Sequence, residues 1–210
     1  MSEVMLEVRN LGCERDFRVL FRQLSFTVRS GDVVQVEGPN GSGKTTLLRM
    51  LAGMLPVHEG EIYWQGEPME RVRPMFYESL LYLGHKTGVK DSLTPWENLR
   101  SWAALRHPVS DDALMEALAR VGLAGFEHTP AHSLSAGQQR RIALARLFVS
   151  RAPLWILDEP FTAIDKKGVA ELEDLMIQRG REGMAVLMTT HHAPRIDGEL
   201  RKVTLGRAQA

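Results

Sequence analysis

Residues able to grip phosphate stand together at Gly38-Pro39-Asn40-Gly41-Ser42-Gly43-Lys44-Thr45, which satisfies the spacing G-x-x-x-x-G-K-[ST] at every fixed position. Glycines at 38, 41 and 43 permit positive φ and close backbone approach, so the loop can aim N–H groups at anionic oxygens. Lys44 adds a mobile cation for the β- and γ-phosphates, and Thr45 or Thr46 offers a hydroxyl to magnesium. A second pair, Asp158-Glu159, ends the apolar run Leu154-Trp155-Ile156-Leu157. A carboxylate at a strand end can hold magnesium directly or through water, and an acid beside it can polarise an attacking water. Asp158 is therefore assigned to the metal and Glu159 to the general base. The chemistry expected is hydrolysis of a nucleoside triphosphate.

Those groups need elements to position them. Val33-Val34-Gln35-Val36 reads as a buried strand before the loop, and Thr45 to Leu51 as a helix after it. The compact apolar runs 80–83, 154–157 and 185–188 predict parallel strands buried on both faces, joining 33–36 in one sheet. Near-alternating runs within 4–10 and 19–37, with Glu61 to Gly66, predict an antiparallel sheet at the start of the fold. From about 90 to 134 the pattern turns helical. Thr94-Pro95-Trp96-Glu97 is a capping box with proline at the first helical position, opening a helix to about Leu105. Ser110-Asp111-Asp112 opens another, with Leu114, Ala117, Leu118 and Val121 as its apolar stripe before Gly122. Ser135 and Gln138 form an S-x-x-Q capping box whose helix start can also hold an anion.

At 210 residues one substantial core is expected, not two full domains. Lys plus Arg and Asp plus Glu both number 26, so the formal charge is zero, and no basic block would track a nucleic acid. No nucleic-acid partner is expected. The single cysteine, Cys13, excludes an intramolecular disulfide and a multi-cysteine metal site. No run approaches the ~20 apolar residues of a bilayer span, and the N-terminus lacks a signal-like segment, so a cytoplasmic location is expected.

Leu134-Ser135-Ala136-Gly137-Gln138 resembles the ABC ATPase signature LSGGQ, with Ala136 in place of the first glycine. With the phosphate loop upstream and Asp158-Glu159 and a histidine downstream, the resemblance covers nearly the whole chain. It implies an α/β fold, a P-loop NTPase of the ABC nucleotide-binding type with an N-terminal antiparallel β subdomain and an inserted helical lobe. The single domain 1–210 would divide into a RecA-like core, 1–85 and 135–210, and a helical subdomain, 86–134. The resemblance also implies ATP and Mg2+ as ligands and a second copy of the chain as partner, with Ser135 and Gly137 acting across the dimer. Thr162-Ala163-Ile164-Asp165 resembles the D-loop, placing Asp165 at the seam; an ordinary helix N-terminal acid would look the same. Thr189-Thr190-His191 matches the switch histidine, which would contact the γ-phosphate.

Two positions depart from the family pattern. His85 stands where a glutamine usually touches magnesium, and its imidazole can donate or accept one hydrogen bond there. The adenine-stacking aromatic is replaced by Cys13-Glu14-Arg15-Asp16-Phe17, leaving Phe17, or Arg15 by guanidinium stacking. Cys13-Glu14-Arg15-Asp16 and Tyr82-Leu83-Gly84-His85 further resemble the ATP-binding subunits of cytochrome c maturation complexes. That resemblance implies membrane-spanning partner subunits, haem export or release of a haem-loaded chaperone, and a place on the cytoplasmic face of the inner membrane. An ATPase of another transporter, for lipoprotein, lipid or small solute, shares the same catalytic motifs, and a soluble ABC ATPase is a further alternative. Trp96 and Trp102 are candidate anchors for a membrane partner, or lobe core.

Overall fold

β1 (Val4–Arg15) and β2 (Arg18–Arg29) run antiparallel and are joined by two residues, Asp16 and Phe17, at φ 51° and 58°. Two consecutive positive φ values match the right-handed twist of a hairpin, although a bulky phenylalanine seldom occupies that region. In this computed structural model, which describes residues 3–195 and 200–206, β4 (Glu59–Trp64) pairs with the far edge of β1 and the short β5 (Glu67–Pro68) with β4. The sheet order is β2-β1-β4-β5. The expected antiparallel sheet is present, with longer first strands than the apolar runs suggested.

The second sheet has the order β6-β7-β8-β3-β9, from β3 (Val33–Glu37), β6 (Leu80–Leu83), β7 (Leu154–Asp158), β8 (Ala185–Thr189) and β9 (Leu200–Thr204). Every residue of β7 and β8 is buried, which explains why these strands read as unbroken apolar runs. Val36, Ile156 and Leu187 from this sheet share one core with Leu6, Val8 and Val28 of the first and with Leu47, Leu48 and Leu51 of α1 (Lys44–Leu51). Three elements were not expected from the sequence, one of them the two-residue β5. β9, partly to fully exposed, forms the edge of the parallel sheet, and α2 (Arg73–Glu78) seats Phe76 edge-on against Trp64 at 5.4 Å.

By proximity of backbone the chain forms two units, Met1–Tyr82 with Ala152–Glu159 and Met176–Ala210, and Leu83–Arg151 with Pro160–Leu175. The second contains α3 (Pro95–Ala104), α4 (Asp111–Arg120) and α5 (Ala136–Val149), which pack on one another. Thr94 and Glu97 make the reciprocal capping bonds expected of them, and Ser110 caps α4. Leu114, Ala117, Leu118 and Val121 are all buried. Trp96 and Trp102 are only partly buried, each beneath an arginine four residues on, Arg100 at 4.7 Å and Arg106 at 4.8 Å. α6 (Lys166–Arg181) begins just after Asp165. No helix among the described residues is long and apolar enough to cross a membrane.

Candidate functional site

The parallel sheet gathers the expected phosphate-handling residues at the carboxyl ends of its central strands. β7, β8 and β3 are consecutive, and Asp158, Thr189 and Val36 stand in register across them. All three strands point the same way, so the loop leaving β3, the acids ending β7 and the Thr190-His191 pair after β8 emerge together. Carboxyl ends of parallel strands are where such sheets bind ligands.

Gly38 has φ 149°, and a Cβ there would meet the Leu205 carbonyl at 2.7 Å and Ser42 Oγ at 2.8 Å, so no larger residue fits. Gly43 sits in the left-handed region at φ 94° and starts α1 without a side-chain cap, leaving the helix's first N–H groups for a ligand. Ser42 Oγ is buried without a hydrogen-bond partner, a donor that a phosphate oxygen would satisfy. Lys44 Nζ donates to the carbonyls of Gly38 at 2.8 Å and Pro39 at 3.2 Å, which holds the cation inside the loop. Thr45, the second residue of α1, is exposed, and Thr46 is partly buried.

Thr189 organises the acids. Its hydroxyl donates to Asp158 Oδ1 at 2.7 Å and accepts from the Glu159 N–H at 3.1 Å, while its carbonyl accepts from the same N–H at 3.2 Å. These bonds hold Glu159 at φ 51°, a costly conformation for a residue with a Cβ. The Glu159 carboxylate accepts from the His191 N–H at 3.3 Å, and its other oxygen lies 3.6 Å from His191 Nε2. The expected base and the expected switch histidine thus touch. Asp158 is 4% exposed, and its carboxylate and the Thr45 hydroxyl are hard oxygen donors of the kind that magnesium prefers. α1 packs against β7, bringing their elements together. Among the described residues no group of three or more His, Cys, Asp and Glu gathers into a cage, so a divalent ion here would also draw on phosphate oxygens.

Thr189 was missed by sequence reasoning as a functional residue; a hydroxyl closing an otherwise apolar strand was the signal. Thr189→Val keeps the shape and removes the hydroxyl from a buried carboxylate. A loss of about 1–3 kcal/mol of stability and a drop in turnover are expected, read by denaturant unfolding and phosphate release.

The hairpin tip carries the adenine candidates. Phe17 is wholly exposed, and Arg15 lies 3.6 Å from the Asp16 carboxylate. The remaining candidates belong to the second unit. Ser135 caps α5, accepting from Gln138 N at 3.2 Å while Gln138 Oε1 accepts from Ser135 N at 3.0 Å. Leu134 is buried, Ser135 and Ala136 are exposed, and a Cβ on Gly137 would meet only ordinary contacts, the nearest Ala163 Cβ at 3.7 Å. Asp165 Oδ1 accepts from Gly168 N at 2.8 Å and so caps α6, the ordinary role that its sequence position also allowed. His85 is exposed on the loop after β6.

Known proteins resemble this chain in sequence and in fold. A profile of the ABC transporter family matches residues 21–162. The cytochrome c biogenesis ATP-binding export protein CcmA of Hahella chejuensis is 62% identical over 202 residues, 96% of each chain. A solved ATP-binding subunit of an ABC transporter superposes with a TM-score of 0.84 at 23% identity, covering 97% of this chain and 86% of its own. The post-hydrolysis dimer of an ATP-binding cassette bound to ADP and Pi gives 0.77 at 21% identity, covering 90% and 88%. The last two are likenesses of fold. With its phosphate loop, paired acids and histidine at the carboxyl ends of one parallel sheet, the chain belongs to the ABC transporter ATP-binding family, among the cytochrome c biogenesis export proteins.

Proposed function

We propose that this chain hydrolyses ATP as the nucleotide-binding subunit of a cytochrome c maturation complex, powering haem export or release of a haem-loaded chaperone. The observation that carries the catalytic part is the Asp158-Thr189-Glu159-His191 network beside the phosphate loop. The assignment to cytochrome c maturation rests on the 62% identity with the Hahella protein.

The residues divide the work. Backbone N–H groups of Gly38 to Thr46 hold the β- and γ-phosphates, Lys44 turns from the loop carbonyls to the same oxygens, and Ser42 donates its hydroxyl. Phe17 or Arg15 lies against adenine. Magnesium, held by Thr45 and Asp158 with His85 near it, would neutralise charge on the phosphate oxygens. Glu159 takes the proton from the attacking water, and His191 exchanges its contact with Glu159 for one with the γ-phosphate. Leu134 to Gln138 of a second copy close over the nucleotide with the α5 N-terminus, and Asp165 lies at the dimer seam. The dimeric cassette among the solved relatives supports this pairing in kind. Membrane-spanning subunits supply the path and hold this chain on the cytoplasmic face of the inner membrane.

Affinity purification of the tagged Glu159→Gln chain in detergent with ATP and magnesium, with mass spectrometry of the captured chains, tests the partner. Cytochrome c maturation membrane subunits are expected. A permease for lipoprotein, lipid or another solute would overturn the haem assignment and leave the ATPase standing.

A further inference from the structure

α5 carries two largely buried arginines that do no work in the scheme above. Arg140 donates from Nη1 to the carbonyl of Gly84, the residue before His85. Arg146 donates from Nη1 to Thr87 O at 3.0 Å and from Nη2 to Gly88 O at 2.9 Å, two and three residues after it. The loop that carries His85 is thus held on both sides by one helix. Six residues separate the arginines, about 9 Å of helix rise, a span that a short extended loop matches. Farther along, the buried Asn98 of α3 accepts from Lys90 N at 2.8 Å and donates to the carbonyls of Lys90 and Thr94, both at 3.0 Å. Between the anchors the His85 and Lys86 side chains remain exposed.

We propose that Arg140 and Arg146 are positioning residues for ATP hydrolysis: they lock the His85 loop to the helix that begins with the signature Ser135-Ala136-Gly137-Gln138, so that loop and signature move as one piece. This rests on the reading that His85 contacts the nucleotide site. An arginine fork suits the task, because one planar group can satisfy two neighbouring carbonyls at fixed geometry, whereas a lysine presents a single nitrogen. Burial, with the Arg106 cation nearby, pushes the Arg146 guanidinium down to about 10. The two carbonyl bonds offset part of the cost of burying that charge. The partners are backbone carbonyls, so the grip is independent of the loop's own side chains and leaves His85 free to act.

The test uses the full chain and steady-state phosphate release for Arg146→Met, Arg146→Lys, Arg140→Met, His85→Ala and the double variant His85→Ala/Arg146→Met. A displaced reacting group slows chemistry without loosening the nucleotide, so Arg146→Met should lower kcat roughly 10- to 100-fold with KM for ATP within about twofold. Arg146→Lys should fall between it and the parent, and the double variant should be no slower than His85→Ala alone, because both changes remove the same contribution. Losses that multiply in the double variant, or an unchanged kcat in Arg146→Met beside a slow His85→Ala, would overturn the lock and leave the His85 reading intact. An unchanged kcat in His85→Ala would defeat both. If Arg146→Met fails to fold, Arg146→Lys alone and combined with His85→Ala carries the same comparison.

Discussion

Glu159→Gln is expected to abolish turnover while ATP still binds. The amide retains an oxygen able to accept the His191 N–H bond at 3.3 Å and leaves the Thr189 contacts with the Glu159 backbone untouched, so the local structure should persist. What it lacks is a basic oxygen for the water's proton. General-base catalysis contributes roughly 10²–10⁴-fold, and the loss should appear in kcat with little change in KM. In the proposed scheme two subunits grip the γ-phosphate, so when it is never removed ATP should convert the chain to a lasting dimer, visible by sedimentation. Parent-like phosphate release would remove Glu159 from the base role.

Lys44→Ala should act at the other step. The ammonium group is tied only to loop carbonyls, partly in contact with solvent, so its removal should barely change folding. Its loss from a phosphate pair held in a closed site costs about 2–5 kcal/mol, or at least ~30-fold in ATP affinity. Equilibrium binding with a fluorescent ATP analogue measures this directly. Affinity equal to the parent's would show that the loop binds phosphate through its backbone alone. Together the two variants separate binding from chemistry, one weak for ATP and one tight but inert.

The division between what could and could not be read from the chain follows the range of the interactions. The phosphate loop and the Thr94-Glu97 and Ser135-Gln138 boxes are written in consecutive residues, and their geometry appears as expected. The buried strands announce themselves because both faces of β7 and β8 are covered. β9 does not, since Leu200–Thr204 lies at a sheet edge and mixes polar with apolar residues. α2 is six residues long, too short to show a helical period. Thr189 acts on a carboxylate 31 positions away, and the Arg140 and Arg146 carbonyl partners lie 56 to 59 positions upstream; no local pattern encodes such pairings. Asp165 looked equally like a seam residue and a helix cap, and the fold shows the cap.

The central claim is that ATP hydrolysis by this chain serves cytochrome c maturation. Haem-stained gels of membranes from a strain lacking its gene, complemented with the parent chain, Lys44→Ala or Glu159→Gln, test it most directly. Covalently haem-bearing c-type cytochromes should vanish on deletion and return only with the parent. Normal c-type cytochromes in the deletion strain, or full recovery with the Glu159→Gln chain, would contradict it.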